Sequence, residues 1–244
     1  MYVVENVRFR VRLSARWVNI DGGSLTGSVA GYITGGGSIR NCYVTGSVSS
    51  SGLIVGGIAG RVESTGGGIS NCYSTATVSS THAGGRVGGI AGELLGGNIT
   101  NCYATRSVSG AQFVGGIIGY SSSTANQVTG CVALNQSIFR SLGTTASFGR
   151  ISGSTDATFS NNAAWGDMLV MGGTITTGAQ NNLNGADLTL TQAKTQSTYS
   201  GSPRSWGFAG TETSPWKWGN TDYPLPVLWF QATTTYPTLP THLQ

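Results

Sequence analysis

The stretch ITNCYATRSV at residues 99–108 occurs three times in this 244-residue chain with small changes. It reads ISNCYSTATV at residues 69–78 and IRNCYVTGSV at residues 39–48. A cysteine stands at the same place in each copy, and Cys131 lies 29 residues after the last of them as a fourth, weaker copy. A period of about 30 residues is typical of a solenoid or a propeller, in which each repeat is one structural unit.

A glycine-rich phrase precedes the repeated cysteine segment. It reads VGGIAG at residues 55–60 and 87–92, and VGGIIG at residues 114–119. Weaker copies occur at residues 27–31 and 148–153. The repeats are rich in Val, Ile, Thr, Tyr and Ser, which favour short strands, and they are too short for the four strands of a propeller blade. The sequence therefore predicts an all-β fold, a parallel β-helix (solenoid) of about five coils of about 30 residues.

The repeated residues have structural roles in such a coil. Because asparagine tolerates the left-handed backbone of a sharp turn, one corner is predicted to hold an asparagine ladder. The next residue is predicted to point inward, where cysteine is small enough to be buried. Paired glycines are predicted to adopt positive φ at another corner. The three sets are Asn41, Asn71 and Asn101; Cys42, Cys72, Cys102 and Cys131; and the glycines at 56–57, 88–89 and 115–116.

The cysteines have three interpretations: buried thiols, disulfides between coils, or a metal site. Neighbouring coils lie about 4.8 Å apart, within reach of a disulfide, but side chains in register point the same way. A metal site is disfavoured, because there is no CxxC pair and neither His82 nor His242 shares the repeat pattern. We predict buried free thiols, with no metal and no cofactor.

A β-helix needs caps, because its open ends expose unpaired strand groups. Residues 1–24 are predicted to be an N-terminal cap strand, residues 25–170 the repeats, and residues 171–244 a C-terminal capping region with a short helix and a Trp-rich segment. In the first cap, apolar residues alternate with arginines, which indicates a strand with a buried face and a basic outer face. These residues are Val7, Phe9, Val11 and Leu13, and Arg8, Arg10 and Arg12.

The alternation of the glycine phrase with NCYxTxxV resembles the GLUG motif repeats of bacterial surface and secreted proteins. The resemblance covers about residues 25–165, and the tryptophan-rich tail with YPL at residues 223–225 is similar too. It implies a non-catalytic, adhesin-like module or stalk, because the motif has no assigned catalytic residues. The implied location is extracellular or at the cell surface, with a leader that is not part of this chain. The expected partners are a host or matrix glycan or protein, or neighbouring modules of a longer chain.

Two groups of residues are candidates for ligand binding. Aromatic rings of the tail either stack on sugar rings or seal the last coil. Here we expect Trp218 to be sealed in and Trp216 to be the more exposed. The second group is an outward-pointing grid of hydroxyls and rings, which resembles the ice-binding faces of antifreeze proteins. The candidates are Trp216, Trp218 and Tyr223 in the tail, and Tyr43, Thr45, Tyr73, Thr75, Thr77, Tyr103 and Thr105 in the grid.

Charge and composition disfavour several other functions. Charged residues make up 9% of the chain and the net charge is +4, with scattered arginines, so no nucleic-acid binding is predicted. No apolar run of about 20 residues is present, so no membrane span is expected. The nine acidic residues share no repeat column, which disfavours catalysis although β-helical folds permit it. A carbohydrate-binding or polysaccharide-degrading β-helix protein is the main alternative, and an ice-binding protein is a further one.

Overall fold

Successive repeats stack as coils of a parallel β-solenoid in the computed structural model of the protein, which describes residues 3–5, 8–9, 14–142, 147–171, 173–175 and 177–244. Each complete coil passes through three sheets, here called C, A and B in the order the chain visits them. Adjacent coils pair in parallel with repeat-equivalent residues in register, as Tyr73 does with Tyr43 and Tyr103. The predicted β-helix of about five coils is confirmed.

Most of the strands are short, because most sides of a coil end at a corner. Sheet A consists, in the described residues, of β1 (Val3–Glu5), β2 (Arg8–Phe9), β5 (Ala30–Thr34), β6 (Ser38–Arg40), β9 (Ala59–Ser70), β12 (Ala91–Thr100), β16 (Ile118–Ser121), β17 (Gln127–Thr129) and β21 (Thr158–Ser160). Sheet C consists of β4 (Leu25–Gly27), β8 (Ile54–Gly56), β11 (Arg86–Gly88), β15 (Phe113–Gly115) and β20 (Ser147–Gly149).

Sheet B carries the residues that follow the asparagine corner. Its strands are β3 (Ser14–Gly22), β7 (Tyr43–Ser50), β10 (Tyr73–Ser80), β13 (Tyr103–Ala104), β14 (Val108–Gly110), β18 (Val132–Ala133), β19 (Ser137–Arg140), β22 (Ala163–Trp165), β23 (Leu169–Val170), β24 (Gly173–Thr174) and β25 (Ala186–Leu188). After sheet B come helices α1 (Leu190–Ala193) and α2 (Ser197–Ser200), a hairpin of β26 (Trp216–Trp218) and β27 (Pro226–Leu228), and 3₁₀ turns at Thr233–Thr235 and Thr241–Leu243.

Aliphatic side chains from the three sheets fill the inside of the coils. The isoleucine of each glycine phrase illustrates the packing, because it recurs at the same corner of successive coils and is fully buried each time. Burial of such columns is the main favourable contribution to the stability of the solenoid. The column consists of Ile58, Ile90, Ile117 and Ile151.

The asparagine corner has the predicted left-handed backbone. φ is 55° at Asn41 and 52° at Asn71 and Asn101. The next two coils keep this geometry with Gly130, at 64°, and Asn161, at 58°. The coils are joined here by the backbone, as the amides of Asn41, Asn71 and Asn101 each donate to a carbonyl of the next coil at 3.0–3.1 Å. The cysteine after each corner points inward and is fully buried.

The prediction for the paired glycines is wrong. None of the six has φ in the left-handed region. Glycine is needed there because a Cβ would collide with backbone: at Gly56 with the carbonyl oxygen of Ala59 in the same corner, and at Gly57 with that of Gly89 in the next coil. The glycine phrase therefore lets a tight corner of one coil lie directly against the same corner of the next coil.

The N-terminal region differs from a single cap strand. The strands β1, β2 and β3 pair with β5, β6 and β7, so that the region supplies strands to two sheets. Arg8 and Phe9 form β2. The other members of the predicted alternating strand lie outside the described residues: Val7, Arg10, Val11, Arg12 and Leu13.

Residues 177–188 cover the opposite end of the solenoid. The backbone amide of Ile151 donates to the carbonyl of Leu183 at 2.9 Å, and that of Asn162 donates to Gln180 at 3.0 Å. Arg150 occupies the position of the second glycine in the last glycine phrase. Its buried guanidinium donates to carbonyls of this covering segment and pairs with Asp187. The arginine side chain thus links the last glycine corner to the covering segment.

Candidate functional site

The tyrosines of the repeated segment form a stacked column on the outer face of sheet B. The rings of Tyr43 and Tyr73 are 5.2 Å apart and inclined by 13°, and those of Tyr73 and Tyr103 are 4.7 Å apart and inclined by 7°. They point away from the coil interior, as predicted, but at most 1% of each is exposed. Burial raises the pKa of both Tyr73 and Tyr103 well above the ordinary value for tyrosine. The column is therefore the centre of a second hydrophobic core.

The C-terminal segment, residues 189–244, lies over this column. The ring of Trp216 is 4.8 Å from that of Trp206 and 6.0 Å from that of Tyr103. The indole Nε1 of Trp206 donates to the carbonyl of Gly130 at 2.8 Å, and Nε2 of His242 donates to that of Leu134 at 2.8 Å. The segment thus covers the side of several coils rather than sealing the last one.

The expectation for the two tail tryptophans is wrong. Trp216 is fully buried and Tyr223 is 1% exposed, whereas Trp218 is half-buried. Trp216 packs on the tyrosine column, while Trp218 lies farther along the hairpin, with its ring 5.8 Å from that of Tyr199. Of the three aromatic residues proposed to bind a ligand, Trp218 alone presents appreciable surface.

The hydroxyl grid behind the ice-binding alternative is largely buried. Thr75 is 5% exposed and Thr105 is fully buried, beside tyrosines that are buried as well. Thr45 is half-buried and Thr77 is exposed. The repeat pattern correctly predicted that these side chains point away from the coil interior. The C-terminal segment, however, packs on this face. The grid therefore presents no flat surface of hydroxyl groups to water.

A different set of side chains gathers on the outside of the corner between sheets C and A. In sheet A, the residues that directly follow four glycine phrases stand in register on adjacent strands. In sheet C, the residues that directly precede two phrases pair with each other. We call this set the arginine–aromatic row. It comprises Tyr32, Arg61, Glu93 and Tyr120 from sheet A, and Arg86 and Phe113 from sheet C.

A buried carboxylate organises the charges of the row. The side chain of Glu93 is 1% exposed and those of Arg61 and Arg86 are 28% exposed. Nε of Arg61 lies 2.6 Å from Oε2 of Glu93, and Nη1 of Arg86 bonds to Oε1. At the far end, the hydroxyl of Tyr32 donates to Glu63 at 2.5 Å, which raises the pKa of Tyr32. Two arginines therefore share one carboxylate, which leaves excess positive charge at the Arg86 end.

Aromatic rings flank both arginines. The guanidinium carbon of Arg86 lies 4.4 Å from the ring centre of Tyr120, whose ring is 4.9 Å from that of Phe113. The guanidinium of Arg61 lies 5.9 Å from the ring centre of Tyr32. These distances allow cation–π attraction, which holds the arginines in place. Both Tyr120 and Phe113 are half-buried, so that part of each ring faces solvent.

An open groove of about 540 Å³ lies on the C-terminal segment. Its polar lining includes Lys194, Asn220, Asp222 and Gln244, and Tyr236 supplies an aromatic wall. Some of these groups already bond to the protein, as Oδ1 of Asn220 accepts from the amide of Tyr223 at 2.9 Å. The groove is a second, less preorganised candidate site.

The cysteine ladder consists of thiols and contains no disulfide. The amide of Cys42 donates to Sγ of Cys72 at 3.4 Å, and Sγ of Cys72 donates to the carbonyl of Ser70 at 3.2 Å. Burial raises the pKa of Cys72 and Cys102 well above the ordinary value, which suppresses the reactive thiolate. Within the described ranges, no group of three or more His, Cys, Asp or Glu side chains is placed to hold a metal ion.

The repeats match a known family model. The model of the GLUG motif matches residues 22–49 and 83–109, which contain two cysteine segments and the phrase between residues 87 and 92. This chain carries GLUG repeats. No curated protein matches it. In the part of the chain that the structure covers, no helix has the length and apolar character needed to cross a membrane.

A solved structure shares the fold. It is a crystal structure described as that of a "putative immunoglobulin A1 protease" from Bacteroides ovatus, 27% identical, with a TM-score of 0.60. The match covers 86% of this chain and 62% of that one, so that this GLUG-repeat chain matches less than two thirds of the other protein.

The arginine–aromatic row was not predicted from the sequence, although its signal is in the repeat. Each of Tyr32, Arg61, Glu93 and Tyr120 directly follows the last glycine of a phrase. A comparison restricted to acidic residues does not detect this column, because its members differ in chemical type. The column becomes visible when the coils are aligned position by position, because arginine, glutamate and tyrosine then fall at the same repeat position.

Proposed function

We propose that this chain is a non-catalytic module of a bacterial surface or secreted protein, and that it binds its ligand on the side of a rigid solenoid, as an adhesin does. The arginine–aromatic row carries the proposal. Charged residues make up only 9% of the chain, yet two arginines and three aromatic rings converge here. Arginine and aromatic residues are enriched among the residues that dominate binding energies. The GLUG repeats and the β-helical fold support the same role.

The environments of three of the nine acidic residues favour binding over hydrolysis. Glu93 is held between Arg61 and Arg86, Asp187 pairs with Arg150, and Glu63 accepts from the hydroxyl of Tyr32. Glycoside hydrolysis by the common route needs two carboxyl groups facing one another across a substrate. Here these carboxylates have structural partners instead.

An array of extracellular glycans and matrix proteins, probed with the labelled chain, tests the proposal. We expect selective and reversible binding to at least one ligand class. Immunoglobulin A1 and a panel of polysaccharides, incubated with the chain, should remain intact by electrophoresis and reducing-end assay. Cleavage of either would contradict the proposal and favour the protease or polysaccharide-degrading alternative.

A further inference from the structure

The charges at the Arg86 end of the arginine–aromatic row are incompletely balanced by the protein. A guanidinium has five N–H donors, and the bonds to Glu93 engage Nε of Arg61 and Nη1 of Arg86. Nε of Arg86 is buried and has no hydrogen-bond partner. Because that nitrogen is inaccessible, a ligand can be bound only through the remaining N–H groups of Arg86, whose side chain is 28% exposed.

The rings beside this end restrict the kind of acceptor. Tyr120 and Phe113 meet at an angle of 57° with their centres 4.9 Å apart, and Arg86 lies over Tyr120. A ligand group that reaches the guanidinium must also pack on these partly exposed rings. A pyranose ring that bears a carboxylate has both features, because its C–H face is apolar and its carboxylate accepts paired bonds from arginine.

The length and polarity of the row fit an oligosaccharide. Tyr32 and Tyr120 are separated by three strand spacings, or about 14 Å. Glu63, which is exposed, stands beside Tyr32 and would repel an anion there. The acidic group of a ligand is therefore favoured near Arg86, while neutral parts of the chain extend towards Arg61 and Tyr32.

We propose that the arginine–aromatic row binds an acidic saccharide, with the carboxylate of one sugar ring at Arg86 and the ring itself against Tyr120 and Phe113. This inference rests on the proposed binding function and names its ligand class. Guanidinium groups discriminate between charged and esterified carboxyl groups, because the ester loses both its charge and the geometry for paired bonds.

Calorimetric titration with a galacturonic acid tetrasaccharide and with its methyl ester tests the charge requirement. Sialyllactose and lactose serve as a second charged and neutral pair, which distinguishes the two sources of a sugar carboxylate. We expect binding of at least one acidic probe, at least tenfold weaker binding of its neutral counterpart, and weakening by salt. Equal affinity for the two members of each pair, or no binding of either acidic probe, would overturn the inference.

Variants locate the site. Arg86→Gln and Tyr120→Leu are expected to weaken binding of the acidic probe at least tenfold. Arg140→Gln is the matched control, because Arg140 also lies over an aromatic ring, that of Phe148 at 5.6 Å, but outside the row. It should bind as the unchanged protein does. If Arg86→Gln does not fold, the affinity of Tyr120→Leu decides whether the row is the binding site, because this variant leaves both ion pairs to Glu93 in place.

Failure of this inference is distinguishable from failure of the proposed function. Full affinity in folded Tyr120→Leu, or equal losses in Arg140→Gln, would overturn the row as the saccharide site. Array binding confined to neutral glycans or proteins would also overturn it, yet would leave the adhesin-like function standing.

Discussion

At the scale of single residues, the second glycine of each phrase is fixed by its neighbour in the next coil. A Cβ at Gly89 would collide with the carbonyl oxygen of Gly116 and lie 2.8 Å from Cβ of Ala104. We expect Gly89→Ala to destabilise the protein by about 2 kcal/mol or more, because neither backbone nor a buried methyl group can move away. Urea denaturation measures the change. Gly23→Ala is the control, since a Cβ there meets nothing within 4 Å. Similar stabilities of the two variants would contradict the packing argument.

The cysteine ladder gives a second prediction at this scale. All four thiols should be nearly inert to a thiol reagent in the native protein and should all react after denaturation without reductant, because all four are buried and burial raises the pKa of Cys72 and Cys102. Cys102→Ser should cost about 1–3 kcal/mol by placing a hydroxyl group in an apolar column. Recovery of fewer than four thiols after denaturation would indicate disulfides.

At the scale of structural elements, Trp216 packs the hairpin β26–β27 on the tyrosine column of the solenoid. Trp216→Ala should cost about 3–5 kcal/mol, as truncations of large buried aromatic side chains do, and should expose the tyrosine column. Trp218→Ala should cost less, because that ring is half-buried. Thermal unfolding gives the order of stability, and limited proteolysis shows whether the segment is released. A larger loss in Trp218→Ala would contradict the observed packing.

The same elements show what sequence could and could not predict. The strands and corners were predictable, because Asn71 and Cys72 recur with a period that ties each residue type to one direction. The placement of Trp216 was not predictable, because the tail has no repeat and its position relative to the coils therefore leaves no pattern in the sequence. The role of Gly57 was misjudged for another reason: positive φ and close backbone approach both require glycine, and sequence alone does not separate them.

At the scale of the whole molecule, one face of the solenoid is covered by the protein itself and another surface remains partly exposed. The tyrosine face of sheet B is covered by the C-terminal segment, and Arg150 and residues 177–188 close the last coil. The corner between sheets C and A carries the arginine–aromatic row, whose rings remain partly exposed. Function was predictable only to the level of a GLUG-repeat module, since the repeat specifies the scaffold and the proposed ligand contacts lie at its variable positions.

Each 30-residue repeat forms one coil of the solenoid, so that residues 60 apart lie two strands from each other. Spin labels on Thr77→Cys and Ser137→Cys test it directly, because Val78, Val108 and Ile138, the next residues along, stand in one register. The native cysteines are buried, so that the added ones should be labelled selectively. The β-helix predicts strong dipolar broadening from labels on residues about 10 Å apart. Spectra that equal the sum of the two singly labelled variants would contradict it.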